Sequence, residues 1–320
     1  MKEKINITVC LDKGFIMPTG VMMYSICSNN QDVDIAFYVV IDDSVTRKDK
    51  YNLKDNLKRF ENYVTIDFYL VKEICAKLPS TANRQGLSNA TYFRLFLADF
   101  LPCDIDKVLY LDGDIIVRHS LLSLWNTDLT NYAIAAVSDT FYGDVDYDKR
   151  LGYPLDAGYF NAGVLLINLK YWRENNMTQR FINYIEGRYS NLTFHDQDIL
   201  NGMFWNKKIR LPIKYNLHSG FLCKDFFVEK GIVQEVKEAE KDPVIVHYSG
   251  YFRPWESYVR SPHPYNSSFY KYQRMTMWKN CRIDSRAPQL KFKNFIADSL
   301  RKLKLLHPIC NPYNSVPQVD

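Results

Sequence analysis

The sequence predicts an α/β fold, a mostly parallel sheet with helices on both faces. Short runs rich in Val, Ile, Tyr and Phe recur along the chain, and stretches with helical spacing separate the early ones. The runs are near-continuously apolar instead of alternating, as strands covered on both sides are. With 320 residues, 47% of them hydrophobic, the chain can bury the core that such a sheet needs.

Taken in order, "INITVCL", "DIAFYVVI" and "VTIDFYLV" read as the first three strands, with "SVTRKDKYNLKDNLKRFENY" as helix between the last two. "KVLYLD", "AIAAVSD", "GVLLINL" and "PVIVHYS" read as later strands. Ligands of open parallel sheets sit beyond the carboxyl ends of the strands, and Asp12, Asp112, Asp139 and His247 each fall there. No repeat, low-complexity segment or Gly/Ser linker interrupts residues 1–255, which are expected to form one catalytic-type domain. Beyond "RPWESYVRSPHPYNSS" the alternation stops, and residues 256–320 are expected as an appendage, aromatic, Pro-broken and finally basic.

The formal net charge is +5, but Arg286 to Lys304 alone holds six basic residues against one acid, Asp298, so the rest of the chain is close to balanced. A nucleic-acid-binding body would spread its basic surface; that class is set aside, and the tail points to one local anionic partner. Within it "LKFKNFIADSLRKLKLL", residues 290–306, sets Phe292, Phe295, Ile296, Leu300 and Leu303 at helical spacing among lysines and arginines. Such a basic amphipathic helix docks on an anionic membrane surface or packs on its own domain. Seven scattered cysteines without a C-x-x-C pair fit a reducing compartment, and no apolar run reaches about 18 residues. The expected location is the cytoplasm, peripheral on the inner face of the cell membrane where the tail docks.

"KVLYLDGDIIV" frames Asp112 and Asp114 with apolar residues on both sides. D-x-D alone carries little information, since the chain has six such spacings. In an extended segment residues i and i+2 project to one side, so the pair can converge on a cation, with Gly113 leaving room for a ligand beside the backbone. Two hard oxygen ligands suit Mn²⁺ or Mg²⁺. Two carboxylates solvating a turn is the bland alternative, and the apolar frame counts against it because buried unpaired carboxylates are costly. An aspartyl-phosphate phosphatase also places an Asp pair after a strand, but it needs a hydroxyl residue where Ile116 stands.

Together with that triplet, "YFNAGVLLINLKYW", "HDQDILNGMF" and "VIVHYSGYFRPW" resemble, in this order, the bacterial members of glycosyltransferase family 8, over about residues 5–255. The resemblance implies a GT-A, Rossmann-like nucleotide-diphospho-sugar transferase fold. It implies Mn²⁺-dependent transfer of galactose or glucose from a UDP-sugar, with retention, to a glycan or glycolipid acceptor such as the lipopolysaccharide core. Asp112, Asp114 and His247 match the metal ligands, and Cys10 and Asp12 match positions at the nucleotide. Arg94 matches an arginine near the donor, placed to brace Asp112 or a donor hydroxyl. Asp139, Asn161, Ala162, Gly163, Asp196 and Gln197 match positions around the sugar. Gly250 and Arg253 match the loop that closes over the diphosphate, with Arg where relatives often carry Lys, while Gly14 replaces an Asn that some relatives set against the nucleotide. Gln197 lies nearest the place of a nucleophile, and because an amide is a poor one, same-face attack with Gln197 stabilising the sugar is expected. A non-catalytic UDP-sugar-binding protein and a sugar-nucleotide hydrolase use the same site. A nucleotidyltransferase would need a Gly-rich basic loop, of which "CLDKGFIMPTG" is a weak version.

Overall fold

A computed structural model describes residues 2–71, 90–140, 146–188, 191–223, 232–250, 253–257, 261–283 and 313. The expected helix over residues 290–306 lies outside them, as do Cys75 and Cys310. Seven strands, β1 (Lys4–Leu11), β2 (Asp34–Ile41), β3 (Val64–Leu70), β4 (Lys107–Leu111), β6 (Ile134–Ser138), β7 (Phe160–Asn168) and β8 (Lys208–Arg210), form one sheet in the order β3-β2-β1-β4-β7-β6-β8. All neighbours are parallel except β7, which runs against β4 and β6. The predicted mostly parallel α/β architecture is therefore the observed one.

The continuous apolar runs divide between two faces by strict alternation. Ile5, Ile7, Val9, Phe37, Val39, Leu109, Leu111, Val164 and Leu166 enter one core cluster, while Tyr38, Val40, Val108, Tyr110, Leu165 and Ile167 enter a second. Helix α1 (Ile16–Asn29) covers the first face, and every residue from Ile16 to Cys27 is buried. A helix apolar all round needs neighbours on all sides, and Pro18 fits because it lies in the first turn, where backbone N–H groups have no partner within the helix. Helix α2 (Arg47–Asn56) begins at a capping box made by Thr46 and Asp49. The second face is covered by α3 (Met177–Arg188) and α4 (His195–Phe204), through Phe181, Ile185, Ile199, Leu200 and Phe204.

The run "PVIVHYS" does not join this sheet. Its strand β10 (Ile245–His247) lies between β5 (Ile115–Val117) and β9 (Leu217–His218) in a separate three-stranded sheet, antiparallel to β5 and parallel to β9. The reason is on α1. Ser25 Oγ accepts the Val117 N–H at 3.0 Å and Asn29 Nδ2 donates to the Val117 carbonyl at 3.0 Å, so side chains of the helix satisfy the free edge of β5.

Residues 261–283, which the sequence groups with the C-terminal extension, pack into the first core. Phe269 and Tyr272 of α5 (Asn266–Gln273) are buried there, and Asn29 Nδ2 donates to Tyr272 Oη at 2.7 Å. Trp278 closes on Gly20 of α1: a Cβ built there would stand 2.2 Å from its ring. Among the described residues no helix is long and apolar enough to cross a membrane. Gly20→Ala is expected to lower unfolding free energy in denaturant titrations by about 1–3 kcal/mol. In a Trp278→Ala background the same substitution should cost measurably less; equal costs in both backgrounds would contradict this packing.

Candidate active site

The site is built at a joint between the two sheets. After β4 the chain turns at Gly113 and Asp114 and re-enters extended structure as β5, so the Asp-Gly-Asp triplet is a turn and not the extended segment the sequence implied. The carboxylates converge all the same, because the antiparallel register sets Ile115 opposite His247. One ligand atom each from Asp112, Asp114 and His247 lies within 4.8 Å of the others. His247 Nε2 is 3.2 Å from Asp114 Oδ1 and 3.8 Å from Asp112 Oδ2.

Each member has an outer partner. Asp112 Oδ1 accepts the Tyr110 hydroxyl at 2.6 Å and pairs with the Arg94 guanidinium at 2.9 Å. Asp114 Oδ2 faces Arg253 at 3.4 Å. His247 Nδ1 faces Asn216 Oδ1 at 3.0 Å. Two carboxylate oxygens and one imidazole nitrogen, all held from behind, are a donor set suited to Mn²⁺ or a similar divalent cation. Gly163 keeps the space open, since a Cβ there would lie 2.2 Å from His247 Cε1 and 3.0 Å from Asp112 Oδ2. Gly113 is also constrained by packing, since a Cβ there would be 2.5 Å from Thr19 Oγ1 on α1.

Burial and charge oppose each other throughout. Burial works to raise the Asp114 carboxyl, yet the His247 charge and hydrogen bond and the Arg253 charge hold it below its ordinary value. For His247 burial works downward, and the Asp114 and Asp112 carboxylates carry it above. Burial lifts Asp196 to about 6 despite Arg94, whose Nε lies 2.9 Å from its Oδ2. Arg94 also donates to the Ala162 carbonyl at 2.6 Å and lies over the Tyr110 ring at 4.4 Å. It sits in the 3-10 turn Arg94–Phe96 between two short helices.

The remaining expected residues form a polar wall beside this cluster. Gln197 Nε2 donates to Asp139 Oδ2 at 2.7 Å, and its Oε1 accepts the Ala162 N–H at 2.8 Å. Asn161 Nδ2 lies 3.3 Å from the same Asp139 oxygen. The first turn of α4 sends consecutive side chains to different partners: Asp196 to Arg94, Gln197 to Ala162 and Asp139, and Asp198 to Arg150 and Tyr159. Asn201 Oδ1 accepts the Phe160 N–H at 2.8 Å and fixes that helix to β7. A cleft of about 190 Å³ opens at the triplet, lined by Cys10, Leu11, Asp12, Phe15, Arg94, Tyr110, Asp112, Gly113, Asp114 and Arg253. Asp12 caps the following 3-10 turn through the Gly14 N–H, at 2.8 Å, while lining this cleft. Gly250 lies outside the cleft lining, and its φ of +98° is the reason for glycine there.

Sequence reading missed Tyr110, Asn216 and His218. Tyr110 precedes Asp112 by two positions and shares its face, so alternation could have found it. Nothing in "KYNLHSG" marks the other two. His218, whose Nδ1 accepts the Gly220 N–H at 3.1 Å, sets Nε2 3.2 Å from Asp139 Oδ1, and burial lowers it to about 4, leaving a neutral ring.

A family model described as glycosyl transferase family 8 matches residues 6–258. Among curated relatives, General stress protein A of Bacillus subtilis is 27% identical over 283 residues, 86% of this chain and 95% of that protein. Lipopolysaccharide 1,3-galactosyltransferase of Salmonella typhimurium is 29% identical over 293 residues, 88% of this chain and 81% of that one. The crystal structure of the galactosyltransferase LgtC with donor and acceptor sugar analogues shares the fold, with a TM-score of 0.72 at 24% identity, covering 91% of this chain and all of that one (100%).

Gly163→Ala drives a methyl group into His247, so Mn²⁺ affinity measured by calorimetry should fall by at least about tenfold with the far-ultraviolet circular dichroism unchanged. Asp196 titrates higher in the folded chain, about 6 against an ordinary 3.8. Its protonated form is the favoured one, so its contribution to stability is complete below 3.8 and lost as pH rises through about 6. In metal-free protein the melting temperature of wild type relative to Asp196→Asn is therefore expected to fall from pH 4 to pH 7; a flat difference would count against the shift.

Proposed function

The chain belongs to glycosyl transferase family 8, and we propose that it is a retaining hexosyltransferase that moves galactose or glucose from a UDP-sugar to a bacterial surface-glycan acceptor such as the lipopolysaccharide core. The observation that carries this reading is the convergence of Asp112, Asp114 and His247 at the mouth of the Cys10–Asp12 cleft. The cleft lies beyond the carboxyl ends of β1 and β4, where ligands of such sheets bind. Relatives named as lipopolysaccharide 1,3-galactosyltransferase and lipopolysaccharide 1,2-glucosyltransferase support the acceptor class.

On this reading Cys10 and Asp12 contact the nucleotide and the three ligands hold Mn²⁺, with Mg²⁺ as substitute. When bound, the cation supplies Lewis-acid stabilisation of the negative charge that grows on the diphosphate as the sugar leaves. Arg253 adds a cation from the cleft wall, where its guanidinium can pair with phosphate oxygen. Asp139, Asn161, Ala162, Gly163, Asp196 and Gln197 shape the sugar pocket, and Gly250 gives the adjoining loop its turn. Gln197 is held at both ends, by Asp139 and by the Ala162 N–H. That fixed amide favours a stabilising role beside a same-face attack over covalent bonding, and Arg94 acts by orienting Asp112 and Asp196. Residues 1–255 supply this chemistry in the proposal, at the cytoplasmic side of the membrane, with residues 290–306 as its contact to anionic lipid.

Purified protein incubated with Mn²⁺ and a panel of UDP-sugars is expected to release UDP from UDP-galactose or UDP-glucose. Asp114→Asn should reduce the rate by at least about 100-fold, since it removes a ligand that stabilises the leaving group. Equal release by wild type and Asp114→Asn, or release from none of the donors, would sink the proposal.

A further inference from the structure

Hydrogen-bond direction can be followed from a backbone group of fixed polarity to the His247 ring. The Gly163 N–H can only donate, and it lies 2.9 Å from one end of the Asn161 amide, which is therefore Oδ1. That oxygen is 2.8 Å from one end of the Asn216 amide, which must then be the donor Nδ2. The opposite end of Asn161, its Nδ2, faces the acceptor-only Asp139 carboxylate, in agreement. The other end of Asn216 is Oδ1, 3.0 Å from His247 Nδ1, and it can only accept. His247 Nδ1 consequently carries a hydrogen, which leaves Nε2, the nitrogen turned toward Asp112 and Asp114, as the one that can give up its proton to a cation.

We propose that Asn216 is a positioning residue that presets His247 in its Nδ1–H form, aims Nε2 at the cation, and ties the metal site to the sugar-pocket residue Asn161. The inference rests on the metal-site reading of His247 given above and adds a residue that no sequence motif marks. Burial makes the relay obligatory. Asn216 and His247 are 0% and 3% exposed, so water cannot take over the role of the amide. The ring occupies the space that Gly163 leaves, since a Cβ there would be 2.7 Å from the same Nδ1.

The test uses the full chain in three forms, wild type, Asn216→Leu and Asn216→Asp. Asp keeps an oxygen for the Nδ1 hydrogen and loses the donor to Asn161; Leu loses both. Nitrogen NMR of the protein saturated with diamagnetic Mg²⁺ is expected to show the hydrogen of His247 on Nδ1 in wild type and Asn216→Asp. Calorimetric titration with Mn²⁺ alone should show affinity about 10- to 100-fold weaker in Asn216→Leu and near wild type in Asn216→Asp. Wild type with the Nε2–H form, or Asn216→Leu binding Mn²⁺ as tightly as wild type, overturns the proposal while the metal site stands. A wild type that binds no Mn²⁺ removes the metal-site reading itself and this role with it. Should Asn216→Leu fail to fold, the wild-type spectrum and the Asn216→Asp affinity still decide.

Discussion

The site depends on a change of sheet within a single turn. Leu111 ends a parallel strand of the large sheet and Ile115 begins the edge of the small one, with three residues between. Both ends of that turn are pinned. The Asp112 N–H donates to the Gly163 carbonyl at 2.8 Å, and the Asp114 carbonyl accepts the Tyr248 N–H at 2.8 Å. The two carboxylates thus inherit their positions from β7 on one side and from the residue after His247 on the other. Helix α1 makes the change of sheet affordable in hydrogen-bonding terms, because Ser25 and Asn29 satisfy the backbone of β5 that no strand reaches.

Placing carboxylates at such a joint concentrates negative charge in partly buried space, and the surroundings answer it residue by residue. Arg94 stands between Asp112 and Asp196, Arg253 beside Asp114, and the His218 ring beside Asp139. Burial alone would favour the neutral guanidinium of Arg94, but the two carboxylates hold its charge firmly in place. Removing it would strand Asp196, 4% exposed, without a cation, which is the costly way to break a buried pair. The same economy explains the amides: Asn161, Gln197 and Asn216 join the acidic groups to backbone N–H groups and to the imidazole without adding charge. A cluster tied together by these directed bonds holds a fixed geometry, as transfer chemistry requires.

The strands and the Asp-Gly-Asp frame were legible because their signals are local. A run such as "DIAFYVVI" must be covered on both faces whatever lies around it, and two carboxylates amid apolar residues need a cation wherever they are. The resemblance of four ordered motifs then named His247, Asn161, Asp196 and Gln197, since each motif keeps its chemistry within a few residues. Local pattern could also mislead. "PVIVHYS" has the composition of a central strand, yet its pairing partner was decided by the edge that α1 left open, and composition carries no record of pairing. The aromatic, Pro-broken stretch after residue 260 lost the strand pattern while keeping apolar side chains, and those side chains fill the outer face of α1.

By itself the sequence determined the α/β class, the strand ends that carry Asp12, Asp112 and Asp139, and the identity of the ligand-type residues, because each follows from neighbours close in the chain. Tertiary structure alone decided that Ile115 faces His247, that Gly163 is small to make room for that ring, and that Asn216 and His218 stand behind the site. Those facts are contacts between residues 31 to 132 positions apart. Hydrogen-bond direction and steric exclusion act through space over about 3 Å, and no spacing within a sequence encodes them.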